Sequence, residues 1–235
     1  DGLFFVQNEA AQLVGLLSGA IENNRVLDCC AAPGGKTTHI AELTSDKAEI
    51  LALDINESRL ELIRENAERL GINSISVRQA DSSNLAATLK DEKFDIVLTD
   101  VPCSGLGLMS RKPDIRQTIT YERMEELLPK QRKILLNSSK YVNHGGRLIY
   151  STCTMNVKEN EETIKWFLDN NEDFRPVDIT NSIPSGIVVD DNGKTSIGGS
   201  IPFLYNSRER IIWPSVMYPV LSGTGCVTSS PGIVV

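Results

Sequence analysis

Between residues 25 and about 170 the chain alternates short β-rich runs with helical stretches, and this alternation restricts its fold more than any other feature. Strands that alternate with helices build a mainly parallel sheet, because each return to the same sheet edge needs a crossover. The runs 25–30, 49–53, 74–79, 94–99 and 147–151 read as strands, and 36–44, 57–70, 121–142 and 158–170 as helices. Within 57–70, Leu60, Ile63, Ala67 and Leu70 recur at three- and four-residue spacing, and Gly71 stands where a left-handed residue ends a helix. Upstream, 9–17 reads as a lead-in helix that packs Ala10, Leu13, Val14 and Leu17 on the sheet. The expected fold class is α/β, with helices on both faces of the sheet. Beyond residue 175 the chain is rich in Pro, Gly and Ser, with a hairpin signal at Asp191-Asn192-Gly193, and 211–235 is assigned no element.

The length of 235 residues suits one large domain or two small ones, and 40% hydrophobic with 23% charged residues is a globular composition. No apolar run approaches the ~20 residues that span a bilayer, so no membrane partner is expected. The net charge of −7 argues by itself against a general nucleic-acid binder, whose phosphate contacts need a basic surface. Five cysteines, at 29, 30, 103, 153 and 226, are an odd number without CxxC spacing, and only His39 and His144 could join them as ligands. Neither a metal site nor a disulfide framework is expected; a reducing, cytoplasmic setting with chemically used thiols is. The chain begins with Asp, which reads as a piece of a longer protein.

The segment RVLDCCAAPGGKTTHIAEL is a strand, a small-residue turn and a helix, a geometry that brings backbone N–H groups close to a ligand. It is not a P-loop, because Cys30 fills the place of the first glycine of GxxxxGK[ST], and GxGxxG is absent too. What remains is a turn with Gly34 and Gly35, followed nineteen residues after Gly35 by Asp54 at a strand end, where an acid grips ribose hydroxyls. Asp81 and Asp100 add carboxylates after the third and fourth strands. Three carboxylates repel a pyrophosphate and attract a cation, so an adenosine-like ligand with a cationic amino acid moiety, S-adenosylmethionine, is the expected cofactor.

Cys103 and Cys153 follow the fourth and fifth strands. If those strands are neighbours, about 4.8 Å apart, both thiols emerge at the cofactor edge, whereas Cys29 is expected to be a buried structural thiol. Two thiols and a methyl donor suggest one chemistry. Carbon 5 of a pyrimidine is a poor nucleophile until a thiolate adds at carbon 6, and a base must afterwards remove the carbon-5 proton. Asp100 is a candidate for the base edge and Lys36 for electrostatic assistance. Spacing alone does not tell the two cysteines apart.

The segments DCCAAPGGKTTHI, DVPCSGLG, RKPDIR and GGRLIYSTCTMNVKENE occur in this order, and together they resemble the RNA cytosine-C5 methyltransferases. The wording GLGLMSRKPDIR is most similar to the branch acting on bacterial 16S rRNA, the Sun/Fmu type. The resemblance covers about residues 2–175 and implies a Rossmann-like S-adenosylmethionine-dependent methyltransferase fold. It implies that Cys30, Ala31, Ala32, Pro33, Gly34, Gly35 and Lys36 line the amino acid end of the cofactor, that Asp54 holds the ribose, and that Asp81 lies on the adenine side with Asp100 near the methionine. It further implies that Cys153 adds to carbon 6 while Cys103 assists release of the methylated base. On this reading 1–24 is a lead-in segment, 25–205 the catalytic domain and 206–235 a divergent tail, with the family's upstream NusB-like RNA-binding domain absent from the chain. The family's Gln-Asp pair is Gln7-Asn8 here, and its closing Asp-Gly-Phe-Phe strand has no counterpart in NSRERIIWPSVMYP.

From Arg111 to Lys133 seven basic residues face four acidic ones, a local excess of +3. Arg123 to Lys133 reads as a solvated helix face, and Arg111, Lys112 and Arg116, beside the proposed target pocket, as phosphate contacts. A target cytosine must leave its stack to reach a thiol, which favours a single-stranded or loop site. The expected partner is RNA, 16S rRNA foremost, bound by a monomer. A tRNA methyltransferase and a catalytically inactive RNA-binding or assembly module are the alternatives.

Overall fold

The computed structural model describes residues 2, 4–109, 111–177 and 203–206. Five parallel strands, β1 (Arg25–Asp28), β2 (Glu49–Asp54), β3 (Ile75–Gln79), β4 (Phe94–Asp100) and β5 (Val142–Ser151), form most of a seven-stranded sheet. It is completed by β6 (Pro176–Val177) and β7 (Phe203–Asn206), in the order β3-β2-β1-β4-β5-β7-β6, with β7 antiparallel to both its neighbours. No strand at 203–206 was expected from the sequence; tertiary pairing along Arg147–Tyr150 selects it. The expected hairpin at 191–193 lies outside the described residues, as does the expected tail 206–235 except Asn206, which ends β7.

Helices α1 (Glu9–Ser18), α2 (Gly35–Leu43), α3 (Glu57–Leu70), α4 (Ala86–Leu89), α5 (Ile115–Thr118), α6 (Tyr121–Ser139) and α7 (Glu161–Asp169) occupy the connections. Side chains alternate across a strand, so consecutive burial requires cover on both faces. β2 is buried from Ile50 to Asp54 and β4 from Ile96 to Thr99, as the α/β expectation requires. α1 packs on α2, α3 on β2 and β3, and α6 on β4, β5 and α7. One apolar core joins Leu13, Val14 and Leu17 of α1 to Leu27, Val97 and Ile149 of the central strands.

Element boundaries differ from the periodicity where side chains intervene. β1 ends at Asp28 rather than residue 30, because the Asp28 carboxylate accepts from Cys30 N and turns the chain. β5 starts five residues early: Gly145, at φ +80°, lets the Gly-Gly pair stay in the strand across a register shift opposite Phe94 and Ile96. α7 begins only at Glu161, since Asn160 spends its side chain on Thr152 and Thr154. α3 spans 57–70 as expected, and Gly71 ends it at φ +70°. Asn8 caps α1 by accepting from Ala11 N at 2.8 Å, a task Asn and Asp perform equally. An Asp in place of Asn8 would make the same cap.

Candidate active site

The strand order reverses at β1 and β4, the crevice where open α/β sheets take ligands. The C-terminal ends of the five parallel strands deliver Asp28, Asp54, Asp100 and Ser151, with Asp81 just past β3. A cavity of about 450 Å³, within the ~300–1,000 Å³ usual for small-molecule sites, is lined by Cys30, Asp54, Asp81, Asp100, Cys103 and Cys153 among others. A second, of about 250 Å³, shares Cys30, Ala32 and Asp100 with it and continues past Ala31, Pro33, Gly35 and Lys36 under Phe5 and Gln7. The residues proposed for the cofactor thus converge on two adjoining spaces; of them, Gly34 alone lines neither and shapes the turn instead.

Gly34 adopts φ +101°, and a Cβ there would lie 3.3 Å from Ile63. A Cβ on Gly35 would meet the Phe5 ring at 2.9 Å. The two glycines therefore permit the tight turn and the overlying segment 4–8 together. Asp54 accepts from Asn56 N at 3.0 Å and pairs with Arg59 at 3.3 Å, and Arg59 also donates to Ala32 O, which ties the second strand end to the turn. Asp81 is held below the usual carboxylate range, first by the backbone N–H of Ser83 and also by Lys130 and Lys133. Lys130 lines the larger cavity, so not all of the Arg123–Lys133 stretch is a plain solvated face.

Asp28, which sequence reasoning did not single out, is buried beneath the turn. It accepts from Thr37 Oγ1 at 2.7 Å, and burial pushes its carboxyl up to about 7 despite that bond. Its place at the end of the first strand was the only available signal. Lys36 is not a solvated helix start. Its ammonium meets Asp100 at 2.6 Å; burial pulls its pKa down, but the attraction and hydrogen bond of Asp100 raise it overall. Ser151 Oγ donates to the other Asp100 oxygen at 2.7 Å.

β4 and β5 are neighbours, and Cys103 Sγ lies 2.9 Å from Cys153 Sγ. With Cys103 donating, Cys153 is held below the ordinary thiol value, helped by Lys36 and opposed by burial, Asp100 and Glu159. The same bond, with burial, drives Cys103 well above it. Burial also raises Cys30, and it pushes the fully enclosed Cys29 up to about 12, the structural thiol expected. Among the described cysteines only Cys153 is shifted toward thiolate. Gly105 leaves room beside it, since a Cβ there would be 3.9 Å from Cys153 Sγ.

A buried polar cluster that sequence reasoning missed backs both thiols. Glu159, fully enclosed, accepts from Ser104 N at 2.9 Å and Ser104 Oγ at 2.6 Å, from Gln131 Nε2 at 2.7 Å and from Asn156 Nδ2 at 3.0 Å. Its backbone carbonyl accepts from Tyr150 at 2.8 Å. Arg111, Lys112 and Arg116 are exposed on the segment from the Cys103 loop into α5. No group of three or more His, Cys, Asp or Glu suited to a metal occurs among the described residues, and none of their helices is long and apolar enough to cross a membrane.

Comparison with known proteins places this arrangement. A family model described as 16S rRNA methyltransferase RsmB/F matches residues 16–214. The probable ribosomal RNA small subunit methyltransferase B of Bacillus subtilis is 40% identical over 176 residues, 75% of this chain and 39% of that protein. Its namesake from Synechocystis is 40% identical over 196 residues, 80% of this chain and 44% of that protein. The chain thus spans about two fifths of these relatives. Among solved structures, PH0851 superposes with a TM-score of 0.76 at 30% identity, over 87% of this chain and 46% of its own. NSun6 from Pyrococcus horikoshii, solved with SFG, gives 0.71 at 28% over 87% of this chain and 52% of its own. The fold is the Rossmann-like one of S-adenosylmethionine-dependent methyltransferases, and by the family model and these relatives the chain belongs to the RsmB/F family of 16S rRNA methyltransferases.

Proposed function

We propose that this chain is the catalytic part of an S-adenosylmethionine-dependent methyltransferase that modifies carbon 5 of a cytosine in small-subunit rRNA through a covalent Cys153 adduct. The observation that carries this reading is the pair of thiols brought together at 2.9 Å at the edge of an acid-lined cavity, with Lys36 and Asp100 beside them. The cofactor fit rests on the chemistry of the lining: Asp54, Asp81 and Asp100 suit a cationic ligand with a ribose diol, and the glycine turn suits its amino acid end. The relative solved with SFG, an S-adenosylmethionine analogue, supports the same cofactor. When bound, S-adenosylmethionine supplies a methyl group on a sulfonium, electrophilic toward carbon.

The residues divide the remaining work. Cys153, held toward thiolate, forms the S–C6 bond, and the ring electron pair moves to carbon 5. Asp100, fixed by Lys36 and Ser151, meets the base edge and stabilises a protonated ring nitrogen. After carbon 5 is methylated its proton must leave, so that the electron pair returns to the ring and Cys153 departs as thiolate. Cys103, with its raised proton affinity, is the base for that step once its own proton has gone to the ring nitrogen; as Cys153 departs the ring nitrogen releases that proton to solvent, and Cys103 is left protonated as at the start. Arg111, Lys112 and Arg116 hold phosphates of an unstacked RNA segment.

The test is to incubate the chain with isotopically labelled S-adenosylmethionine and small-subunit rRNA, with tRNA in parallel, then digest the RNA and identify the labelled nucleoside. Labelled 5-methylcytidine from rRNA is expected. Label on another base or ring position, label confined to tRNA, or none from a protein that binds the cofactor overturns the reading.

A further inference from the structure

Cys103 and Cys153 sit on separate loops, fifty residues apart in sequence, yet in the proposed chemistry their sulfurs must stay in contact for one thiol to hold the proton of the other. β4 and β5 set only the ends of those loops. Beyond Asp100 and Ser151 the regular ladder stops, but Val101 N still donates to Ser151 O at 3.1 Å, Cys153 N to Cys103 Sγ at 3.0 Å and Gly107 N to Cys153 O at 3.1 Å, and side chains add a further tie behind the cysteines.

The residue that follows each cysteine points to the same place. Ser104, directly after Cys103, donates both its backbone N–H and its hydroxyl to the two oxygens of the Glu159 carboxylate. Thr154, directly after Cys153, places its hydroxyl 2.5 Å from Ser104 Oγ and 3.4 Å from the same carboxylate. Gln131 of α6 donates to Glu159 and to Pro102 O, which closes the Cys103 loop from the other side. Asn156 donates to Glu159 from the far end of the Cys153 loop.

Among the described residues no Lys or Arg forms an ion pair with Glu159. The donors around it are neutral amides and hydroxyls, so a fully enclosed carboxylate is satisfied here by hydrogen bonds alone. Such an acceptor is costly to bury unless every lone pair is used. A cluster of this kind fixes geometry, because the loss of one donor leaves a desolvated charge.

We propose that Glu159 is a positioning residue for the two cysteines: its carboxylate fastens the residue after each one and so holds the thiols at contact distance. It touches neither substrate nor cofactor in this scheme and acts only through the loops. The inference rests on the reading of Cys103 and Cys153 as the reactive pair, but its consequence can be measured without RNA.

The charged and titratable groups around Cys153 are Cys103, Asp100, Lys36 and Glu159. Glu159 therefore influences Cys153 in two ways of opposite sign. As a nearby negative charge it disfavours the thiolate, so removing the charge alone would lower the pH at which Cys153 becomes reactive. As the fastening of the loops it maintains the bond from Cys103 that favours the thiolate, so removing the fastening would raise that pH.

The experiment measures the rate of iodoacetamide alkylation of Cys153 against pH, read by peptide mass spectrometry, in the unaltered chain, Glu159→Gln and Ser104→Ala. Thermal unfolding confirms that each variant is folded at the temperature used. If Glu159 positions the thiols, Glu159→Gln moves the alkylation midpoint upward, by about one pH unit for a tenfold loss of thiolate at neutral pH. Ser104→Ala keeps the charge and one donor, and moves it the same way by less. Should Glu159→Gln fail to fold, the direction in Ser104→Ala decides. A downward shift in Glu159→Gln, or an unchanged midpoint in a folded variant, overturns the proposal. Formation of 5-methylcytidine by the unaltered chain is scored separately, so failure of the positioning role and failure of the methyltransferase reading are distinguishable.

Discussion

The two halves of the crevice are built by different means. On the β1–β3 side the groups are a glycine turn and acids at strand ends, Asp54 and Asp81, each accepting first from the backbone N–H two residues on. On the β4–β5 side the thiols meet across fifty residues, and the cluster behind them joins Ser104, Gln131, Thr154 and Glu159 from three separate segments. A ligand-holding surface can be made from local turns, because each contact contributes independently. A proton shared between two sulfurs cannot, because its position depends on their separation and on every charge nearby. The difference predicts that damage on one side leaves the other largely intact.

The largest expected effect separates the halves outright. Cys153→Ala should reduce cytosine methylation by on the order of 10³-fold or more, the scale of losing a nucleophile, while cofactor affinity measured by calorimetry stays unchanged. A parallel collapse of cofactor binding would mean that the halves are one unit. Next in size is the pH response of Asp28, the buried member of the cofactor side. Its carboxyl rises from 3.8 to about 7 on folding, so the folded state keeps the proton longer. Its contribution is therefore full at low pH and is lost as pH rises from about 4 to 7, by a few kcal/mol. Asp28→Asn should gain stability relative to the unaltered chain over that window, read by urea unfolding at several pH values. A difference that does not change with pH would show that Asp28 ionises freely.

Smaller still, Asp54→Asn should weaken cofactor binding about tenfold, the order of one charge-assisted hydrogen bond. The rate at saturating cofactor should change little, and a fall in that rate without a change in affinity would place Asp54 in the chemistry instead. The smallest effects belong to Arg111, Lys112 and Arg116. Each substitution by Ala should weaken RNA binding a fewfold and reduce the slope of log affinity against log salt by about 1. Cofactor affinity should be untouched, and an unchanged salt slope would remove these side chains from the phosphate contacts.

Much of the scaffold was legible because its signals are local. The apolar spacing through Leu60, Ile63 and Ala67, with Gly71 after it, specified α3 to the residue. The strand, small-residue turn and helix at 25–43 announced the ligand edge, and Asp54, Asp81 and Asp100 stood in sequence where strands end. Lys36 was less legible: GGKT reads equally as a solvated helix start, and only the approach of β4 turns it toward Asp100. β7 was not read from the sequence, since a four-residue strand between β5 and β6 is selected by its pairing with both rather than by its own pattern.

The sequence by itself determined the α/β alternation, the glycine turn and the placing of two cysteines after consecutive strands, because helix and strand periods and turn conformations depend on residues within a few positions of one another. Only the tertiary structure decided which thiol is shifted toward thiolate, that Asp28 is buried enough to hold a proton near neutrality, and that Glu159 bonds to both cysteine loops. Proton affinity and buried hydrogen bonding are fixed by distance and by the exclusion of water, and neither is a property of neighbours along the chain.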